Sequence, residues 1–143
     1  MPVVKFNYFR DIRLDEDATN KISFVYRPYI PIRLSSNHHL SKYPVLCLLD
    51  SGADKNLFPS QWAESIGIKI KNGKLKEHTG IGGVSVLAYR HTIKLYVGSY
   101  SFTTEADFSD QQQLPLLGRE GFFKFFKKVT FDEQDKTIEL EHK

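Results

Sequence analysis

A short segment in the middle of the sequence carries residue types that suit acid–base catalysis. Residues 50–54 read Asp-Ser-Gly-Ala-Asp and directly follow an apolar run that ends at Leu49. A carboxyl at the end of a buried strand is held rigidly in a semi-apolar pocket, and such a pocket suits a carboxyl to proton transfer. Gly52 lets backbone and ligand approach closely because it has no Cβ. Asp-Ser-Gly after a strand is also common turn chemistry, so these residues alone leave a purely structural turn open.

Other residue types that could do chemistry lack the pattern that the chemistry needs. His38 and His39 are adjacent in a polar loop, and no His-Glu-x-x-His or Cys-x-x-Cys motif accompanies them. We therefore expect no metal site and no cofactor. Cys47, the single cysteine, excludes an internal disulfide and is expected to be an inert core residue. The glycines at 80–83 lack the Gly-Lys-Ser/Thr of a phosphate-binding loop.

The length and composition limit the classes of protein in which residues 50–54 could act. The 143 residues correspond to about one domain, spanning residues 1–143, and a hydrophobic content of 41% can form a packed core. The net charge of +3 comes from 20 basic and 17 acidic residues mixed along the chain, which argues against a nucleic-acid partner. No run of about 18 apolar residues predicts a membrane span, and the N-terminus lacks the apolar core of a secretory signal. We therefore expect a cytoplasmic protein that binds neither nucleic acid nor membrane.

Mostly β-strands are expected to position the 50–54 segment. Aromatic residues make up 13% of the chain, which favours strands over helices. Tyr43–Leu49 is short and almost wholly apolar, as in a strand that is buried on both faces, and it leads directly into Asp50. The other predicted strands share alternating or continuous apolar residues. They are Val3–Phe9, Ile22–Leu34 (an edge or irregular segment because of Pro28 and Pro31), Ile68–Ile70, Thr92–Val97, Tyr100–Phe108, Leu114–Leu117, Val129–Phe131 and Thr137–Leu140.

Two short helices and several connections complete the predicted organisation. Residues 58–67 form the better helix, with a proline in its first turn and a glycine after its end, and residues 121–128 could form a brief one. Residues 11–20 are expected to be a loop, and residues 80–83 a flexible loop tip. The sequence therefore predicts one mostly-β domain with one or two short helices, in which residues 1–20 have no assigned role.

The order of three motifs resembles the retropepsins, the aspartic proteases of retroviruses and their cellular relatives. Residues 48–54 resemble their hydrophobic-hydrophobic-Asp-Ser-Gly signature, and residues 80–83, Gly-Ile-Gly-Gly, resemble their flap, which folds over a bound peptide. Residues 116–119, Leu-Leu-Gly-Arg, resemble the family's hydrophobic-hydrophobic-Gly-Arg segment, which precedes a short helix. The resemblance covers residues 26–140, although the stretch between the signature and the flap is longer than in the viral enzymes. It implies a single-lobe acid-protease β-barrel and an aspartic endopeptidase that acts on a peptide or protein substrate.

The resemblance also implies a homodimer. Aspartic proteases use two facing carboxyls that share one proton, whereas this chain contains a single Asp-Ser-Gly and is too short for two lobes. Asp107, Asp110, Asp132 and Asp135 lack the preceding apolar strand and the following Ser/Thr-Gly. A C2 dimer whose axis passes between two copies of Asp50 would supply the second carboxyl.

Roles for the neighbours of Asp50 come from the same resemblance. Asp50, Ser51 and Gly52 would form the catalytic segment, with Ser51 bonded across the axis and the Gly52 carbonyl bonded to the substrate backbone. Arg119 would form a charge-assisted pair with Asp54, and Gly118 belongs to the same structural segment. The residues expected to contact substrate lie on both sides of an extended peptide. They are Ala53, Asp54, Gly80, Ile81, Gly82 and Gly83.

A function of another class stays open at this point. The same fold could hold an extended peptide, or dimerise, without cleaving anything. The intact Asp50, Ser51 and Gly52 and the flap glycines favour the enzyme.

Overall fold

Alternating apolar and polar residues place most of the chain in β-strands. The computed structural model describes residues 2–14, 21–80 and 82–143. Of the described residues, 59% lie in strands and 9% in helical turns, and they form a single short α-helix and a closed barrel of six strands. The mostly-β class, the barrel and the short helix that the sequence predicted are therefore confirmed. No helix in these three ranges is long and apolar enough to cross a membrane.

Thirteen strands are present within the described residues. The strands of the first half are β1 (Val3–Asn7), β2 (Phe9–Leu14), β3 (Ile22–Arg27), β4 (Tyr29–Ser36), β5 (His39–Leu40), β6 (Val45–Leu49) and β7 (Asn56–Pro59). The helix α1 spans Ser60–Ser65. The strands of the second half are β8 (Lys74–Thr79), β9 (Ser85–Val97), β10 (Tyr100–Ser109), β11 (Leu116–Leu117), β12 (Phe126–Asp132) and β13 (Thr137–His142). Single 3-10 turns lie at Ile70–Asn72 and Phe123–Phe125.

Six of these strands close into the barrel in the order β4, β6, β11, β7, β10 and β9. The ring closes where Arg33–Ser35 of β4 pairs with residues 94–96 of β9 in antiparallel register. Strand β5 extends the sheet beyond β4, and β8 extends it beyond β9. The extension by β8 forms a hairpin with β9 that reaches outside the barrel wall.

On β4, every second side chain from Ile30 to Leu34 points into the core. Ile30, Ile32 and Leu34 of β4 are at most 1% exposed, and Cys47 of β6 is fully buried. Burial raises the pKa of the Cys47 thiol well above its ordinary value, so the thiol stays protonated as an inert core group. Leu46 is 40% exposed, and the prediction that both faces of its strand are buried was wrong, because a barrel strand covers the core with one face only.

The two ends of the chain meet in a separate sheet of three strands in the order β1, β13 and β12. Val3 pairs with Glu141 and Asn7 with Thr137, all within one chain. These terminal strands therefore pair with each other within the single chain. Their partners are already supplied by the same chain, because the hairpin of β12 and β13 offers a free edge to β1.

Strands β2 and β3 form a two-stranded ribbon that we call the arm (Phe9–Leu14 and Ile22–Arg27). The arm corrects the prediction that residues 11–20 are a loop, since residues 11–14 are strand and only 15–20 lie outside the described residues. The polar side chains that suggested a loop alternate with apolar ones, so that Ile12 faces Phe24 across the ribbon.

The helices are shorter than the sequence predicted. Residues 58–59 extend β7, which pairs in parallel with β10, so α1 begins only at Ser60. Gly67 follows the end of the helix with φ of +76°, which confirms its predicted position after the helix. In the 121–128 segment the chain makes a single 3-10 turn, because Phe126 already pairs with β13.

Candidate active site

Asp50 lies where two neighbouring parallel strands of the barrel end. Leu48 and Leu49 of β6 pair with Leu116 and Leu117 of β11 in parallel register. The backbone N–H of Asp50 then donates to the carbonyl oxygen of Leu117 at 3.0 Å. The barrel therefore fixes the backbone of Asp50 and leaves its side chain half-buried at the rim.

The loop after Asp50 is folded around its carboxylate. The N–H of Gly52 donates to Asp50 Oδ1 at 2.9 Å, and the N–H of Ala53 donates to the carbonyl oxygen of Asp50 at 3.1 Å. A Cβ at Gly52 would stand 3.3 Å from Oδ1, closer than a comfortable contact, so glycine suits this position. Ser51 and Gly52 are exposed in the single chain. The Asp50 carboxyl and the small residues Ser51 and Gly52 are therefore accessible to a molecule that approaches this loop.

A second loop, residues 118–121, supports the Asp50 loop through its backbone. The N–H of Arg119 donates to the carbonyl oxygen of Ala53 at 2.7 Å, and the N–H of Glu120 to that of Asp54 at 2.8 Å. A Cβ at Gly118 would overlap the backbone at residues 54–55, approaching the carbonyl carbon of Asp54 to 2.6 Å. Close packing of the two loops therefore requires a glycine at 118.

The expected ion pair between Asp54 and Arg119 is not formed within the described chain. Both side chains are exposed to solvent. An exposed ion pair contributes too little free energy to offset the loss of side-chain freedom that the pair requires. Lys55 instead reaches Glu120 across the same two loops, with Nζ 2.6 Å from Oε2. The link between the loops is thus made by backbone hydrogen bonds and by this neighbouring pair.

The side chain that locks the two loops together is Asn56, which sequence reasoning missed. It is fully buried, and its Oδ1 accepts from the N–H of Gly118 at 3.1 Å. Its Nδ2 donates to the carbonyl oxygens of Gly121 at 2.8 Å and Glu105 at 3.1 Å. The signal in the sequence was a polar residue directly before the apolar run Leu57–Pro59. An amide at the start of a buried strand is kept where its hydrogen bonds are satisfied.

The glycine-rich segment forms the tip of the hairpin of β8 and β9. Thr79 pairs with Ser85, and the N–H of Gly80 donates to the carbonyl oxygen of Val84 at 2.9 Å. Gly82 and Gly83 have φ of +88° and +78°, a region that glycine enters without strain. Ile81 lies outside the described residues. The segment is therefore a hairpin tip, as the glycines predicted.

One cleft of about 610 Å³ separates this hairpin from the Asp50 loop. Four predicted site residues line it: Gly52, Ala53, Asp54 and Gly80. Gly82 and Gly83 stand beyond its lining, at the hairpin tip. The structure thus brings the two predicted halves of a substrate site to opposite walls of one cleft.

A buried ionic cluster anchors the hairpin to the barrel at the back of this cleft. The carboxylate of Asp107 on β10 is 1% exposed and receives Arg90 Nε at 2.7 Å and Nη2 at 3.0 Å. His78 Nε2 of β8 lies 2.6 Å from Asp107 Oδ2, the oxygen that also accepts from Arg90 Nη2. The cluster spans three strands and ties the outlying β8 to β10.

The charge of Asp107 is stabilised in this position. Burial raises the pKa of the Asp107 carboxyl, but the hydrogen bonds from Arg90 and His78 outweigh burial and hold the pKa below its ordinary value. The hydrogen bond to Asp107 in turn raises the pKa of Arg90. Asp107 was set aside in the sequence because it lacks the active-site signature. No short sequence pattern identifies Arg90 and His78 as its partners, because only the pairing register of the strands brings these residues together.

Comparison with known proteins identifies the fold. A solved structure titled a retropepsin-like aspartic protease from Rickettsia conorii matches with a TM-score of 0.64 and 15% sequence identity, over 97% of this chain and 91% of that one. The EIAV protease, solved with the inhibitor HBY-793, matches with a TM-score of 0.48 and 23% identity, over 66% of this chain and 83% of that one. No family model and no curated protein sequence matches. The chain has a retropepsin-like fold.

Proposed function

We propose that the protein is an aspartic endopeptidase that works as a homodimer, with one Asp50 carboxyl from each chain. The observation that carries the proposal is the place of Asp50 in this fold. It directly follows barrel strand β6 and begins the loop whose residues Gly52, Ala53 and Asp54 line the cleft opposite the glycine-tipped hairpin.

The chemistry follows from bringing two such carboxyls together. Two carboxylates about 3 Å apart cannot both ionise, so the pair holds one proton between them. The ionised member accepts a proton from a water molecule that attacks the peptide carbonyl, and the protonated member donates to the developing oxyanion. Neither step needs a cofactor. Ser51, exposed beside Asp50, would hydrogen-bond across the axis and fix the distance between the two loops.

The substrate in this proposal is an extended peptide in the cleft. Its backbone would hydrogen-bond to the Gly52 carbonyl on one wall and to the hairpin on the other. Glycines at 80, 82 and 83 allow the hairpin tip to change its backbone angles, so the hairpin can act as a flap that excludes water.

The exposed arm supports the homodimer. Four large apolar side chains on one face of the arm are between 45% and 67% exposed in the single chain. They are Ile12, Ile22, Phe24 and Tyr26. An isolated two-stranded ribbon is marginally stable in water, and an apolar patch of this kind marks an interface.

The base of the arm also lies beside the loop at which a second chain would contribute its Asp50. Pro28, which directly follows the arm, accepts a hydrogen bond from the N–H of Leu49 at 3.1 Å. Leu49 precedes Asp50, so the base of the arm lies beside the loop that must face the partner's copy. We therefore assign the arm to contact with a second copy of the chain, and this gives the N-terminal segment a role.

Digestion of a peptide library at acid pH tests the proposal, with wild type beside Asp50→Asn. We expect cleavage by wild type and none by Asp50→Asn, with both proteins dimeric in sedimentation because the amide preserves the shape of the carboxyl. Equal cleavage by the two proteins would refute the assignment of Asp50. Peptide binding without cleavage by either protein would instead identify a non-catalytic peptide-binding module.

A further inference from the structure

The inner wall of the hairpin is cationic. Lys74, Lys76 and His78 alternate along β8 and so project from the same face, and Lys74 pairs across the strands with Arg90 of β9. Lys76, His78 and Arg90 line the cleft opposite the Asp50 loop. Lys76 and His78 are half-buried, whereas the intervening residues of β8 are exposed. A substrate in the cleft would therefore lie against basic side chains.

Two of these four basic side chains contact a carboxylate; among the described residues Lys74, which is exposed and does not line the cleft, and Lys76 do not. Arg90 and His78 both bind Asp107, and Lys55, on the opposite wall, pairs with Glu120. Lys76 has no carboxylate within 4.0 Å among the described residues.

The groups around Lys76 are themselves mostly cations. The charge of Lys74 lowers the pKa of Lys76, burial lowers it further, and Arg90 adds to the effect, while Asp107 alone acts in the opposite direction. Two further acidic residues line the cleft, Asp54 on the loop and Glu77 on β8. Glu77 is exposed and belongs to the opposite face of its strand, and neither residue lies within ion-pair distance of Lys76.

We propose that Lys76 is a specificity-determining residue that selects peptides with a carboxylate side chain, Glu or Asp, in this cleft. The inference rests on the proposed peptide substrate and names its chemical class. An incoming carboxylate would accept a charge-assisted hydrogen bond from Lys76 and reduce the repulsion among Lys74, Lys76 and Arg90. Closure of the hairpin would remove water from the pair and strengthen it.

Paired peptides test this inference. Peptides cleaved by wild type are synthesised with Glu or its uncharged isostere Gln at each position near the scissile bond, and kcat/KM is measured at about pH 5, where most free Glu side chains are ionised. At one position we expect Glu to be preferred by about tenfold, the size of a hydrogen bond to a charged group. Lys76→Met should bring that ratio to about one, and Lys76→Glu should invert it. Lys42→Met is the matched control, because Lys42 is exposed outside the cleft, and it should keep the wild-type ratio.

Two results would overturn the assignment of Lys76 and leave the protease intact. They are equal cleavage of Glu and Gln peptides at every position, and a preference that survives in Lys76→Met. If wild type cleaves no peptide, the proposed function fails separately. In that case Glu and Gln versions of a library peptide that binds the Asp50→Asn chain are compared by their affinities for that chain, measured by fluorescence anisotropy. A Glu preference that Lys76→Met removes supports the inference, and equal affinities refute it.

Discussion

Replacing Asp107 with Asn removes a buried negative charge that holds the hairpin to the barrel. The carboxylate is 1% exposed and accepts three hydrogen bonds, two from Arg90 and one from His78. The amide keeps the volume but cannot accept at both ends, so two basic groups lose their anionic partner. Breaking a buried ion pair by removing one partner costs about 3–5 kcal/mol. Since Arg90 and His78 are 17% and 28% exposed, water relieves part of the cost, and we expect about 3 kcal/mol.

Thermal unfolding followed by circular dichroism measures this loss. For a chain of this length, about 3 kcal/mol corresponds to a fall in Tm of about 10 °C. Asp135→Asn is the matched control, because Asp135 is an exposed residue of the turn between β12 and β13, and its Tm should stay close to that of wild type. A Tm of Asp107→Asn as close to wild type as that of the control would show that the cluster does not stabilise the fold.

The same comparison has a predicted pH dependence. The pKa of Asp107 is lowered in the folded chain relative to its ordinary value of 3.8. Its contribution is therefore fully present above about pH 3.8 and is lost as the pH falls through the lowered folded value. The difference in Tm between wild type and Asp107→Asn should shrink below about pH 3.8, and a difference that grows there would contradict the assigned direction.

Two further substitutions probe the loops and the arm. Gly118→Ala should destabilise the fold by about 2 kcal/mol or more through backbone overlap, seen as a lower Tm. Gly80→Ala should not, because its Cβ would make only an ordinary contact of 3.8 Å with the carbonyl oxygen of Val84. Equal Tm values for the two variants would count against the close loop packing. Ile12→Ser combined with Phe24→Ser should raise the dimer dissociation constant at least about tenfold in sedimentation, because both side chains are assigned to the interface. Leu40→Ser, on the outermost strand of the barrel sheet, should leave that constant unchanged, and an unchanged constant in the arm variant as well would remove the arm from the interface.

Local patterns were sufficient for the elements that carry the candidate site. The apolar run before Asp50 predicted a core strand, and the glycines at 80–83 predicted a loop tip, because each signal lies within a few consecutive residues. The sequence predicted the arm only in part. Its strands do not pack on the core and therefore lack the regular alternation of a strand with one apolar face, because Asp11 and Arg13 stand among the apolar residues.

Contacts between distant residues could not be predicted in the same way. Asp107, Arg90 and His78 meet only because β8, β9 and β10 adopt one register, and a shift of one residue would turn each side chain to the other face. The sequence likewise could not show that Asp54 and Arg119 form no ion pair. The distance between their two loops is fixed by backbone hydrogen bonds between residues far apart in the sequence.

Mixing wild type with Asp50→Asn at constant total protein tests most directly whether two Asp50 carboxyls form one active site. If each site needs both, activity follows the square of the wild-type fraction, and an equal mixture retains about one quarter of the wild-type rate at random assortment. If each chain carries a complete site, the same mixture retains about one half. A quarter is the result that we predict, and a linear dependence on the wild-type fraction would contradict the shared site.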